Sequence, residues 1–126
     1  MISKKMARTM NEQINTELYS AYLYMAMSSD CQAKGLKGAA HWFFVQGQEE
    51  MTHALRIFKY VVDQSERAEM GAIAKPQAEF KSLKHMFEET LKHEKIVTSL
   101  IHKLTKLART EDDYASEEFL QWFVRE

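Results

Sequence analysis

Apolar residues recur at helical spacing along most of this chain, and the positions that interrupt them are few. Ser3 offers an N-cap to a first helix of about residues 3–34, which Gly35 stops. A second helix, about 36–64, keeps its period through Phe43, Ala54, Ile57 and Val61 until Asp63 and Gln64 end it. Residues 65–81 show no sustained period and contain Gly71 and Pro76, so they predict a long connection. Ser82 caps a third helix, 82–109, with Leu83, Phe87, Leu91, Val97, Ile101, Leu104 and Ala108 expected on one side. After a polar turn, residues 115–126 resume the pattern through Phe119, Leu120 and Phe123 for about three turns. Two short turns flanking one long connection predict an all-α, four-helix bundle with a crossover between the second and third helices and an incomplete fourth.

With 126 residues the chain suits a single domain with its own core. The 17 Lys and Arg balance 18 Asp and Glu, so no long-range field favours nucleic acid or an anionic membrane. The most apolar stretch, Leu18 to Met27, is too short and too rich in Tyr and Ser to span a bilayer. Cys31 is the only cysteine, which excludes an intrachain disulfide and a thiolate metal cluster and suits a reducing cytosol. These features predict a cytoplasmic protein with neither a nucleic-acid nor a membrane partner.

Chemistry enters through carboxylates on the apolar stripes. Glu17 shares a face with Met10, Ile14, Ala21 and Tyr24, and Glu50 shares one with Phe43, Gly47, Ala54 and Ile57, on which His53 also lies. Glu94 falls between Phe87, Leu91, Val97 and Ile101. One inward Glu commonly marks an interhelical ion pair, but no Lys or Arg stands on these three stripes. Three buried negative charges without a cation are unstable, and a multivalent metal ion would neutralise them. Glu50-x-x-His53 sets an oxygen and a nitrogen donor on adjacent turns, the spacing of di-iron and di-manganese centres in helical bundles. Carboxylate and imidazole donors without thiolate favour iron or manganese, with zinc competing and calcium disfavoured. Tyr24 is either a satisfied core tyrosine or a hydrogen-bond and electron donor to the centre. His41, His85, His93 and His102 lack a preceding Glu at the same spacing and are expected to be surface or packing residues.

The segments Glu17-Leu18-Tyr19-Ser20-Ala21-Tyr22, Gln48-Glu49-Glu50-Met51-Thr52-His53, Lys92-His93-Glu94-Lys95, and Asp113-Tyr114 followed by Phe119-Leu120-Gln121-Trp122-Phe123, occur in that order. In them the chain resembles the bacterial non-haem ferritins from end to end. The resemblance implies a cage of 24 subunits that takes in ferrous iron, oxidises it with dioxygen or peroxide at a di-iron centre in each subunit, and stores ferric mineral. It implies that Glu17, Glu50 and His53 hold a first iron, that Glu50 bridges to a second held by Glu94, and that Tyr24 is the family's tyrosine beside the centre. Glu49 and Glu126 match residues of a third, cavity-side iron site. Family members continue the fourth helix beyond the position of Glu126 with further ligands, so the chain is expected to be truncated, proteolysed, rearranged or recorded in part. Three other readings stay open: a non-catalytic iron-binding remnant, a di-iron peroxidase of the rubrerythrin kind, and a DNA-protecting mini-ferritin. The last two expect features this sequence lacks, namely Glu-x-x-His on the fourth helix or a basic tail.

Overall fold

In the computed structural model, which describes residues 1–126, the Ser3 hydroxyl accepts a hydrogen bond from Met6 N at 2.9 Å and so opens α1, Lys4–Ala33. α2 spans Lys37–Asp63, α3 Leu83–Thr110 and α4 Tyr114–Arg125, with no strand. Ser82 caps α3 as Ser3 caps α1, and Asp113 caps α4 by accepting from Ser116 N at 3.1 Å. The first three helices end alike, in a turn whose left-handed residue lets two amide groups reach back to orphan carbonyls. Gly35 takes that place after α1 with φ +76°, and Leu36 N then donates to Cys31 O at 2.8 Å. Ser65 (φ 63°) and Asp112 (φ 55°) do the same after α2 and α3 without the freedom of glycine.

Three-residue links fold α2 back on α1 and α4 back on α3. Between the two hairpins the chain runs the full length of α1. Lys4 pairs with Glu66 at 3.0 Å, Asn11 Nδ2 donates to Arg67 O, and Gly71 N donates to Asn15 Oδ1. At the far end Phe80 N donates to the buried Asp30 carboxylate at 3.1 Å, which Lys34 also grips at 2.7 Å. This strap carries the chain from one end of the bundle to the other, so α2 and α3 run parallel to each other and antiparallel to α1. α1 and α2 approach each other closely at Gly47, where an added Cβ would sit 3.3 Å from Met25 Cγ and 3.4 Å from Ala21 O. α2 and α4 meet through aromatic rings instead, with Tyr60 stacked on Phe119 at 4.1 Å.

The core divides in two. One cluster joins Met6, Met10 and Ile14 to Ile57, Val61, Leu104, Leu120 and Phe123 from all four helices. The other joins Tyr24, Met27, Cys31, Phe43, Phe80 and Met86, and α4 contributes nothing to it. The expected stripe on α3 is corrected in part: Phe87 and Leu91 are 42 % and 58 % exposed, and Met86 and Thr90 are buried instead. No helix is long and apolar enough to cross a membrane.

Candidate metal centre

The polar layer lies where Ile14 of one cluster gives way to Leu23 of the other along α1, and where Phe43 gives way to Ala54 along α2. Glu17 and Glu50 are buried in it, and His53 is half-buried one turn after Glu50. One donor atom from each of these three side chains lies within 4.8 Å of the other two. His53 Nδ1 is 3.3 Å from Glu50 Oε2 and 3.7 Å from Glu17 Oε2, but neither approach has hydrogen-bond geometry. Both oxygens are therefore buried without a hydrogen-bond partner. Glu17 Oε1 is satisfied by the Gln13 amide at 3.1 Å, one turn earlier on α1.

The charges follow from this geometry. Burial pushes Glu50 up to about 8, and the adjacent Glu17 carboxylate adds to the rise against the pull of His53. Burial alone would lower His53, yet the two carboxylates raise it to about 10. Burial also acts to raise Glu17, but His53, Glu50 and Gln13 outweigh it and hold that carboxyl below its usual range. At neutral pH the metal-free centre thus holds a His53 cation, a Glu17 anion and a protonated Glu50. No lysine or arginine lines the surrounding cavity, which encloses about 410 Å³. Two orphaned carboxylate oxygens and an imidazole within ligand reach of one another fit a divalent cation that displaces the protons.

The remaining expected residues distribute around that cavity. Glu94, Glu49 and Glu126 line it together with Glu17, Glu50 and His53, but they stand outside the close group of three. Glu94 is half-buried rather than deep in an apolar stripe, and the Tyr24 hydroxyl donates to its carboxylate. Tyr24 itself is fully buried, and burial together with Glu94 raises its phenol strongly. Glu49 and Glu126 are exposed.

Several contributors were not evident beforehand. Gln13 precedes Glu17 by one turn, a spacing that could have signalled it. His93 contacts Ser20 Oγ at 2.6 Å and packs edge-on against Tyr19 and Tyr24, so it is a packing residue with a polar partner. His102 is exposed, as expected of a surface residue, and also lines the cavity two turns beyond Glu94. The Trp122 ring stands 5.3 Å from His53, and the Arg56 guanidinium lies 3.9 Å over the same ring. No local pattern joins α2 to α4 in that way.

A family model described as "Ferritin-like domain" matches residues 7–126. The chain is 41% identical over 126 residues to a bacterial non-heme ferritin of Escherichia coli, covering 100% of this chain and 76% of that relative. It is 39% identical to one of Campylobacter jejuni, over 100% of this chain and 75% of the relative. Among solved structures, an open pore ferritin from the hyperthermophilic archaeon Archaeoglobus fulgidus superposes with a TM-score of 0.98 at 43% identity, over 99% of this chain and 77% of the other.

Proposed function

The chain belongs to the ferritin-like domain family, and from that premise we propose that it takes up ferrous iron, oxidises it to the ferric state at the Glu17, Glu50 and His53 centre, and stores the product inside a multisubunit assembly. The observation that carries this reading is the pair of buried, partnerless oxygens on Glu17 and Glu50 beside an imidazole, in a cavity that no lysine or arginine lines.

Iron is the substrate here. Two ferrous ions lose one electron each, and these electrons with two protons reduce one dioxygen to hydrogen peroxide. The chain's own residues bind and orient. Glu17, Glu50 and His53 take the first ion, Glu50 is shared, and Glu94 takes the second. Gln13 holds one oxygen of Glu17 so that the other faces the centre. The Tyr24 hydroxyl fixes Glu94 and offers a phenol next to the reacting ions. Anionic oxygens favour the ferric over the ferrous charge, which lowers the barrier to electron loss. Glu49 and Glu126 would receive ions on the exposed side of the same cavity. The reading sets this work in the cytoplasm, supported by the single, buried Cys31.

Light scattering and Fe(II) oxidation, followed by absorbance on one purified sample, test the proposal. A particle of about 24 chains that oxidises iron is expected, and Glu50→Ala should slow oxidation by at least about tenfold while Glu88→Ala leaves it near the starting rate. Equal effects of the two changes would refute the centre. A small species that binds iron without oxidising it would instead favour the non-catalytic remnant.

A further inference from the structure

The imidazole of His53 meets the two carboxylates without a hydrogen bond: Nδ1 lies 3.3 Å from Glu50 Oε2 and 3.7 Å from Glu17 Oε2, and both oxygens stay unpartnered. The χ2 torsion of a histidine is broad and roughly two-fold, so the backbone does not choose the plane of the ring. A twist about that bond swings Nδ1 off the carboxylates, and a half-turn presents Cδ2, which binds no metal. Imidazoles that ligate metals usually have their second nitrogen held by a carboxylate or a carbonyl. What packs on His53 is aromatic, the Trp122 ring at 5.3 Å and the Phe123 ring at 6.0 Å, each at 82° to it. Those rings reach His53 from an α4 that is docked on α2 further along: Tyr60 stacks on Phe119 at 4.1 Å and 11°, and Phe119 packs on Phe123 at 5.5 Å. Arg56 follows His53 by one turn on the same side of α2, and its guanidinium lies 3.9 Å over the Trp122 ring. Phe123 lines the cavity, but Trp122 and Arg56 do not, so Trp122 bears on the centre through His53.

We propose that Trp122, steadied by Arg56, is a positioning residue of the centre: it fixes the plane of the His53 imidazole so that Nδ1 faces Glu17 and Glu50 before any ion arrives. The inference rests on the metal-centre reading and deepens it. Edge-to-face contacts depend on the angle between the rings, so two neighbours standing across the imidazole resist a twist about χ2. The ordering of this ligand is thereby completed on folding and does not oppose ion binding afterwards. α4 carries none of the three close donors, yet it contributes to the centre by preorganising one of them.

The test is Zn(II) binding by the full chain at fixed pH and salt, with the affinity from isothermal titration and the ligands from zinc-edge X-ray absorption at one equivalent per chain. His53→Ala identifies the imidazole scattering that belongs to this residue. Trp122→Ala is expected to weaken Zn(II) by at least about tenfold and to diminish that scattering, whereas Trp122→Phe, which keeps a ring, should leave both near their starting values. Arg56→Gln should weaken Zn(II) by about threefold. An unchanged affinity in Trp122→Ala overturns the proposal. So does a weaker affinity with undiminished imidazole scattering, which would mean that the ring only packs α4. Helical circular dichroism checks each variant; should Trp122→Ala lose it, Arg56→Gln decides, and an unchanged affinity there overturns the proposal. Fe(II) oxidation on the same samples separates the two readings. Trp122-dependent imidazole ligation in a chain that oxidises no iron sinks the proposed activity and leaves the positioning role standing, while Zn(II) bound by the unmodified chain without the His53 imidazole sinks the centre and the positioning role together.

Discussion

Metal binding at the Glu17, Glu50 and His53 centre should expel a defined number of protons. Glu50 is raised to about 8 and His53 to about 10, while Glu17 is held low. At pH 7 two of the three groups therefore carry a proton that a divalent ion must displace, so binding should release about two protons per centre. The logarithm of the affinity should climb by about two units per pH unit below pH 8, equivalent to about 2.7 kcal/mol. Between pH 8 and 10 the slope should fall to about one, and it should vanish above pH 10. Isothermal titration of the metal-free chain with Zn(II), in buffers of different ionisation enthalpy, counts the protons directly. Glu50→Gln should reduce the count at pH 7 to about one. Release of less than one proton by the unmodified chain, or an affinity that stays flat from pH 6 to 8, would refute the arrangement of charges described here.

Two further outcomes concern the metal-free fold. His53 and Glu50 are both raised above their unfolded values of 6.5 and 4.5, so the folded state gains from their protonated forms and loses that gain as pH rises through the folded values of about 10 and 8. Thermal melts should show Tm falling from about pH 6.5 to pH 10, and a Tm that holds or climbs over that range would contradict the shifts. At Gly47, valine would drive methyl groups into Met25 Cγ and Ala21 O and force α1 and α2 apart, at a cost of about 1–3 kcal/mol; an unchanged urea midpoint would show that the approach is looser than described.

The helices were legible because their punctuation is chemical. Ser3, Gly35 and Ser82 announce caps, and Gly71 with Pro76 announces the connection. Glu17, Glu50 and His53 were legible for a related reason, since a charged residue on an otherwise apolar stripe is a local anomaly. What local pattern could not give is which stripe finds a partner. Phe87 and Leu91 have the spacing of core residues but are exposed, while Met86 and Thr90, each one position earlier, are buried. Trp122 was hidden differently: it meets His53 through the long reach of an aromatic ring across two helices whose backbones stay apart. Ser65 and Asp112 end helices in the left-handed conformation that sequence reading reserves for glycine, and hydrogen bonds back to Val61 O, Val62 O, Ala108 O and Arg109 O hold them there.

That Glu17, Glu50 and His53 all sit on α1 and α2 has a consequence for how the chain folds. These two helices are joined by a link of three residues, so their encounter costs little chain entropy and can precede the closure of the strap that brings in α3. These three donors are thus all present in a hairpin that can form before the strap closes. An ion that binds at that stage holds the hairpin together by mass action, so the availability of metal during synthesis bears on how quickly α3 and α4 find a completed surface to dock against.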